Sequence, residues 1–194
     1  RHRGIGGDGL IFFRADASTG AGTHDARVTM ALLNADGSYS EVSGNGVRCL
    51  AAWIAEELST PAGGRIQVDT DAGPKRLELL SRDAAGLTFR AAMGPPENVA
   101  LAALDVDGEQ VETVTLRVGN PQCVVLGEVS EARLHRIAAR LAVHPHFPQG
   151  TNVELATVES PGRVRILIWE RGVGPTEASG TGACAAAVAA MIHG

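Results

Sequence analysis

The sequence is poor in aromatic residues, in cysteine and in long apolar runs. Aromatic residues make up only 4% of the 194 positions, so Val, Leu, Ile and Ala must supply most of a hydrophobic core. The three cysteines have neither the spacing of a metal site nor the density of a disulfide framework. No apolar run approaches the length of a membrane span. These absences predict no bound metal, no membrane partner and a cytoplasmic location.

Clusters of basic residues are also lacking. The formal net charge is −5, which argues against a nucleic acid as the main partner because nucleic-acid-binding surfaces are basic. The hydrophobic fraction of 44% and the charged fraction of 20% are ordinary for a soluble globular protein. A chain of this length forms one large domain or two small ones.

One short pattern, Ser-Gly-polar-Gly, occurs twice. We call Ser43-Gly44-Asn45-Gly46 the first motif and Ser179-Gly180-Thr181-Gly182 the second motif. Each follows a strand-like run and opens an Ala-rich, helix-like stretch. Glycine allows a close backbone approach, and a helix start offers unpaired N–H groups to an anion. The two motifs therefore predict two half-sites that serve one substrate between them.

Helix capping alone is the alternative interpretation of each motif. Serine is among the best N-cap residues, so a single copy would say little. Two copies at matching positions favour the functional interpretation. Neither motif continues as a Walker loop, and neither fits the glycine pattern of a dinucleotide-binding fold.

The coarse secondary structure predicts a mixed α+β protein with two similar lobes. Strands are predicted at 10–13, 28–33, 66–70, 76–80, 87–91, 112–118, 122–126, 151–157 and 163–169, with a glycine-rich turn before the first and a loop at 16–26. Helices are predicted at 47–58, at 131–141 and after Gly182. Strands outnumber helices and do not alternate with them. The Met93-Gly94-Pro95-Pro96 break predicts lobes at 1–95 and 96–194, with a ligand site where they meet.

Five polar residues at strand ends and turns are candidates for binding an amino-acid head group. Arginine can hold a carboxylate with two hydrogen bonds, and glutamate can hold an ammonium group. Each residue alone has an ordinary explanation, as a solvated surface pair or as turn chemistry. The candidates are Asn34, Asn120, Asn152, Glu170 and Arg171.

The cysteines and histidines form no nucleophilic triad. Cys49 and Cys184 fall about one turn inside the two predicted helices, and Cys123 falls in a strand. We interpret all three cysteines as small packed residues rather than as reactive groups.

Taken in order and spacing, several segments resemble diaminopimelate epimerase. The resemblance covers essentially the whole chain. It implies two lobes, each a curved sheet or barrel around a central helix, with a cleft between them. It also implies cofactor-independent epimerisation of LL- to meso-diaminopimelate, a step towards lysine and peptidoglycan. The matching segments are residues 1–9, 34–38, 43–49, 119–121, 147–148, 151–154, 169–172 and 180–184.

The resemblance also assigns roles by position. The family's two proton-transferring cysteines fall on Ser43 and Ser179. A serine hydroxyl is far less acidic than a thiol and needs an adjacent base, so α-proton abstraction should be slower by orders of magnitude. The resemblance implies that Asn34, Asn120, Asn152, Glu170 and Arg171 bind the amino-acid groups. The N–H groups of Gly44, Asn45, Gly180 and Thr181 would hold the α-carboxylate.

Two further departures from the family pattern bear on function. Gln122 stands where the family has a histidine that could support proton transfer. The family's terminal strands are not in the chain, so we expect an internal fragment whose lobes are incomplete at 1 and at 194.

Three functions are compatible with these features. The first is a diaminopimelate epimerase impaired by serine at both base positions, by engineering or as a natural variant. The second is a racemase or isomerase of another amino acid on the same fold. The third is a catalytically silent amino-acid-binding protein. Each takes an amino acid, a small molecule, as partner, and a homodimer is left open.

Overall fold

The computed structural model describes residues 9–16, 24–34 and 36–193. The chain divides into an N-terminal unit, residues 1–94, and a C-terminal unit, residues 95–194. Each unit contains one six-stranded sheet and at least one helix. This mixed α+β architecture confirms the predicted fold class. The glycine-rich turn predicted before residue 10 lies mostly outside the described residues.

Among its described residues, the N-terminal unit contains six strands and one helix. Its sheet has the order β1-β2-β4-β5-β6, with β3 paired to β2. Strands β2 and β4 are parallel, and the other neighbours are antiparallel. The helix α1 therefore connects two parallel strands. The elements are β1 Gly9–Ala15, β2 Asp25–Asn34, β3 Tyr39–Ser40, α1 Gly44–Glu57, β4 Arg65–Thr70, β5 Gly73–Asp83 and β6 Gly86–Ala92.

Buried apolar side chains of β2 and α1 belong to one hydrophobic core, which holds α1 against this sheet. Val28, Met30 and Leu32 are buried along β2, while the residues between them are less buried. Val47 and Ile54 are buried on one face of α1 together with Leu50, Ala51 and Ala55. Each fully buried aliphatic side chain contributes roughly 1.5–3 kcal/mol. This core fixes where α1 begins, and so where the first motif lies.

The C-terminal unit contains six strands and two helices. Its sheet has the order β12-β11-β10-β9-β8-β7. Strands β9 and β10 are parallel, with α2 between them in sequence, and the other neighbours are antiparallel. The strands are β7 Glu97–Val106, β8 Glu109–Val118, β9 Asn120–Leu126, β10 Asn152–Ser160, β11 Arg163–Glu170 and β12 Gly174–Thr176. The helices are α2, made of Glu131–Arg133, a π-helical turn Leu134–Ala138 and Ala139–Leu141, and α3 Gly180–His193.

The two faces of this sheet pack against different helices. Cys123 and Leu155 belong to the apolar core that α2 covers with Ile137 and Leu141. The opposite face contacts α3, whose buried side is formed by small residues including Ala185. These alanines bring α3 close to the strands. The face under α3 carries the polar residues described below.

Both motifs follow the same sequence of paired strands. Strands β1, β2 and β3 form two successive antiparallel pairs, and the first motif opens α1. Strands β10, β11 and β12 do the same before the second motif opens α3. Each helix is 14 residues long. Each motif thus follows a strand and opens a helix, as the sequence predicts.

Several predicted elements are wrong or misplaced. The strand β7 was not predicted, because its alanines and its start near Asn98, which has φ 52°, give a weak strand pattern. The short strands β3 and β12 were also missed. Helix α1 begins at Gly44 instead of residue 47. The loop predicted at 16–26 is too long, since β2 begins at Asp25, and residues 17–23 lie outside the described part.

Among the described residues, none of the helices has the length and apolar character needed to cross a bilayer.

Candidate amino-acid site

Ser43 is the N-cap of α1. Its backbone is extended, with φ −125° and ψ 123°, and its Oγ accepts a hydrogen bond from Gly46 N at 3.0 Å. Val47 N donates to the Ser43 carbonyl oxygen at 2.8 Å and closes the first helical turn. The N–H groups of Gly44 and Asn45 lie in that first turn, at the end of the helix that carries partial positive charge. The first motif therefore forms a positively polarised helix start.

Ser179 caps α3 in the same way. Gly182 N donates to Ser179 Oγ at 3.2 Å, and Ala183 N donates to the Ser179 carbonyl oxygen at 3.0 Å. Ser179 is 7% exposed, and its Oγ lies 3.4 Å from Thr181 Oγ1. Capping is thus an observed role of both serines. The repeated geometry also places two helix starts, one in each unit, that suit an anionic group.

The last glycine of each motif lies close to a side chain of a neighbouring strand. A Cβ atom on Gly46 would lie 3.1 Å from Ile11 Cδ1 and 3.4 Å from Ser43 Oγ. A Cβ atom on Gly182 would lie 2.5 Å from Glu154 Oε1. The same position of the motif therefore lies over an aliphatic side chain of β1 in one unit and over a carboxyl group of β10 in the other.

Asn34 and Asn45 are held by local contacts in the N-terminal unit. Asn34 ends β2, and its Nδ2 donates to Ser38 Oγ at 3.1 Å across the following turn. Asn45 Oδ1 accepts a hydrogen bond from Arg48 Nη2 one turn further along α1. Both side chains are half-buried. Their amides are thus oriented by neighbours in the chain.

The C-terminal unit brings three candidate residues together with Gln122. Asn152 and Gln122 are register partners on β10 and β9, and Gln122 Nε2 donates to Asn120 Oδ1 at 2.5 Å. Side chains two residues apart on a strand share a face, so Asn120, Gln122 and Asn152 lie on the α3 side of the sheet. Arg171 N donates to Asn152 Oδ1 at 2.8 Å. Asn120 and Asn152 are 5% and 6% exposed, so this is a buried polar cluster.

Glu170 and Arg171 follow at the end of β11. Glu170 is two residues beyond Ile168, the register partner of Glu154, so it shares the face of the buried cluster. Arg171 Nη1 donates to the Gln149 carbonyl oxygen at 3.0 Å. Both residues are half-buried. The structure therefore places Asn120, Asn152 and Glu170 on one face of the sheet, with Arg171 bonded to Asn152.

Glu154 is a residue of this cluster that the sequence analysis did not select. Its side chain is fully buried, and among the described residues neither carboxyl oxygen has a hydrogen-bond partner. Burial raises the pKa of Glu154 well above its ordinary value, and the charge of Glu170 raises it further. The alternation of polar 152 and 154 with apolar 153 and 155 was the available signal. It indicates a strand with one polar, buried face.

The cysteines do not behave as one class. Cys49 is exposed, so its interpretation as a packed residue is wrong. It lies on the outer side of α1, whereas its neighbours Val47 and Leu50 are buried. Cys184 is half-buried and Cys123 is fully buried. Burial raises the pKa of both thiols, which disfavours the reactive thiolate. Within the described ranges, no three His, Cys, Asp or Glu side chains group as metal ligands would.

Two solved structures with the same fold are described as a racemase and an epimerase. A probable proline racemase from Agrobacterium radiobacter K84 superposes with a TM-score of 0.68 over 96% of the chain, at 16% identity. A hydroxyproline epimerase from Agrobacterium vitis gives a TM-score of 0.60 over 86% of the chain, at 17% identity. The chain spans 61% and 57% of those two proteins, which is less than two thirds. The chain therefore shares the fold of these two proteins.

Sequence comparison identifies the family. The family described as diaminopimelate epimerase matches residues 1–99 and 114–194. The diaminopimelate epimerases of Desulfitobacterium hafniense and Heliobacterium modesticaldum are each 39% identical over the whole chain, which spans 71% and 72% of their lengths. The chain belongs to the diaminopimelate epimerase family. The resemblance found in the sequence motifs is thus confirmed.

Proposed function

We propose that the chain binds an amino acid and inverts its α-carbon without a cofactor, converting LL-diaminopimelate to the meso form. Family membership supports the reaction class. The observation that carries the proposal is the repeated cap, in which Gly46 N and Gly182 N bond Ser43 Oγ and Ser179 Oγ in the same way. Two equivalent half-sites suit a reaction that needs one proton removed and one delivered on opposite sides of one carbon.

The helix starts would hold the α-carboxylate. The first-turn N–H groups at Gly44 and Asn45, and at Gly180 and Thr181, carry the partial positive charge of a helix N-terminus. Removing the α-proton spreads negative charge onto the carboxylate. N–H groups fixed before the reaction stabilise that charge more than the ground state, which lowers the barrier.

Ser43 and Ser179 would exchange the protons. One side chain, acting as its alkoxide, would take the α-proton, become a hydroxyl and leave the electron pair on the substrate. The other side chain, a hydroxyl, would deliver its proton to the opposite face of the carbon and become the alkoxide. A hydroxyl is a poor base unless a neighbour accepts its proton. Both hydroxyl oxygens already accept a backbone N–H, which lowers their basicity further. We therefore expect the inversion to be slow in this chain.

Two alternatives each have one supporting observation. Gln122 bonds Asn120, a residue expected to bind the amino-acid head group, and this favours a racemase whose substrate is another amino acid. Serine at both base positions favours a protein that binds an amino acid without changing it, because a hydroxyl is a weak base. Both alternatives keep the amino acid as partner.

Deuterium exchange separates the three functions. The unmodified chain and a Ser43→Cys, Ser179→Cys variant are incubated in deuterated water with LL-diaminopimelate, and α-deuterium is followed by NMR. Because a positioned general base contributes about 10²- to 10⁴-fold, we expect exchange to rise by at least about 100-fold in the variant. A Ser160→Cys variant, changed at an exposed serine, is the control and should match the unmodified chain.

The remaining outcomes identify the alternatives. Exchange with another amino acid and none with diaminopimelate would favour the racemase whose substrate is another amino acid. Binding of an amino acid without exchange in any variant would favour the silent binding protein. Absence of both binding and exchange for every amino acid tested would contradict the proposed function.

A further inference from the structure

Gln122 and Glu154 are two buried polar side chains whose acceptor oxygens have no hydrogen-bond donor among the described residues. Both are 0% exposed. Among the described residues, Gln122 Oε1 and both carboxyl oxygens of Glu154 lack hydrogen-bond partners. An unsatisfied buried polar atom costs about 1–3 kcal/mol. Two such residues on neighbouring strands therefore require a physical explanation.

The two side chains are close enough to interact. Strand β9 runs parallel to β10, with Asn152 opposite Gln122 and Glu154 opposite Val124. Gln122 and Glu154 are thus diagonal neighbours on the face that contacts α3. With a strand spacing of about 4.8 Å and a rise of about 3.3 Å per residue, such positions lie about 8 Å apart between Cα atoms, within reach of two long side chains. Glu154 is also confined from above, because its Oε1 packs against Gly182 in the first turn of α3.

The donors and acceptors of the two side chains determine the protonation state in which Glu154 can hydrogen-bond to Gln122. Gln122 Nε2 already donates to Asn120 Oδ1, so Gln122 turns its carbonyl oxygen away from Asn120. A glutamate carboxylate has acceptors only, whereas a neutral carboxylic acid has one O–H donor. Two acceptors facing one another in a buried place would repel. A neutral Glu154 would supply the missing donor.

We propose that Glu154, as a neutral carboxylic acid, donates its O–H to Gln122 Oε1 and that this pair fixes the orientation of the Asn120 amide. The chain of bonds runs from Glu154 to Gln122 and from Gln122 to Asn120. Because Asn120 Oδ1 accepts from Gln122, Asn120 offers its N–H groups, which suit a carboxylate ligand. Glu154 and Gln122 are then positioning residues for Asn120. Only the statement that the Asn120 amide binds a carboxylate ligand rests on the proposed function.

The charges around Glu154 favour the neutral acid. Glu170 on β11 raises the pKa of Glu154 after burial, which has the larger effect. Cys123 on β9 also interacts with Glu154, and its own buried thiol stays protonated. The first turn of α3, residues 180–183, carries no titratable side chain. Ionisation of Glu154 would remove the donor and release Gln122, so amino-acid binding should weaken as the pH rises through the pKa of Glu154.

NMR on the whole chain tests the pair without any ligand. The carboxyl carbons of glutamate are labelled with ¹³C, and the Glu154 signal is assigned as the one lost in Glu154→Gln. At about pH 7 the Glu154 signal should have the chemical shift of a carboxylic acid and not that of a carboxylate. The Gln122 side-chain N–H signals should be kept in Glu154→Gln, whose amide can donate, and should move in Glu154→Leu. An ionised Glu154 at that pH, or Gln122 signals that are unchanged in Glu154→Leu, would overturn the pairing.

Calorimetry with LL-diaminopimelate tests the consequence for binding. We expect Glu154→Gln to bind within about twofold of the unmodified chain, and Glu154→Leu and Gln122→Leu to bind about tenfold more weakly. The double Leu variant should lose no more than either single one. Equal losses in Glu154→Gln and Glu154→Leu would overturn the donor role. If Glu154→Leu does not fold, the comparison of Glu154→Gln with Gln122→Leu decides the same point.

The two proposals can fail separately. If the unmodified chain binds no diaminopimelate, the proposed function fails for that substrate. The NMR signals of Glu154 and Gln122 still decide whether the pair exists.

Discussion

Gly182 and Glu154 fit against one another only because Gly182 has no side chain. A Cβ atom on Gly182 would lie 2.5 Å from Glu154 Oε1 and 3.1 Å from its Cδ. The same glycine donates its N–H to Ser179 Oγ. One residue therefore connects the cap of α3 with the buried carboxyl group beneath it. In the N-terminal unit the equivalent glycine, Gly46, lies over Ile11 instead.

Gly182→Ala should destabilise the C-terminal unit. The added methyl group must displace a fully buried side chain, and overpacking of this kind costs about 1–3 kcal/mol. Urea unfolding measures the change. Gly162→Ala is the matched control, since nothing lies within 4 Å of a Cβ atom on Gly162. Equal unfolding midpoints for the two variants would show that Gly182 and Glu154 are not in contact.

Ser43→Ala and Ser179→Ala should each weaken a helix start. Loss of an N-cap side chain costs about 0.5–2 kcal/mol, because Gly46 N or Gly182 N loses its acceptor. Ser160→Ala, at an exposed serine in the last position of β10, should leave the unfolding free energy nearly unchanged. If all three variants unfold alike, the capping bonds do not contribute to stability.

The stability of the chain should fall as the pH rises above the ordinary range of a glutamate. In the unfolded chain Glu154 loses its proton near pH about 4.3, while in the folded chain burial and Glu170 keep it protonated to higher pH. The folded state then binds more protons, so the unfolding free energy decreases by about 1.4 kcal/mol per pH unit until the folded pKa is passed. Glu154→Gln should remove this slope, and Glu112→Gln should not. A slope that persists in Glu154→Gln would contradict the assignment.

The thiols should differ in reactivity. Cys49 is exposed, whereas Cys123 is fully buried and its pKa is raised. A thiolate is the reacting species, so iodoacetamide at neutral pH should modify Cys49 first and leave Cys123 unmodified in the folded chain. Mass spectrometry of the peptides measures both rates. Denaturation in urea should make the rates similar. Fast modification of Cys123 without denaturant would show that the core around it opens readily.

Local patterns predicted most of the fold. The alternation of buried residues in β2 and the helical spacing after the first motif are short-range signals, and both elements form where these signals lie. Strand β7 lacks such a signal. Its residues pair with β8 across a register shift between Glu97 and Ala100, so tertiary pairing decides its structure. The exposure of Cys49 likewise depends on which face of α1 packs against the sheet. The predicted helix begins at residue 47, three residues after the observed start at Gly44, and does not define that face.

The site was predicted less completely than the fold. The motifs and the asparagines stand out because glycine and asparagine are unusual at those positions of a regular element. Glu154 does not stand out, because a glutamate in a strand of mixed character is ordinarily placed in solvent. Its burial follows from the register of β9 with β10 and from the approach of α3 at Gly182. These are relations between distant segments, and they are not visible in the order of residues along the chain.

The most direct measurement compares the epimerisation rates of the single and double cysteine variants. If residues 43 and 179 act on one α-carbon from opposite sides, Ser43→Cys alone and Ser179→Cys alone leave one face without an effective acid or base. We therefore expect the double variant to convert LL- to meso-diaminopimelate faster than either single variant by about 100-fold or more. A single variant that epimerises as fast as the double variant would contradict the two-sided mechanism.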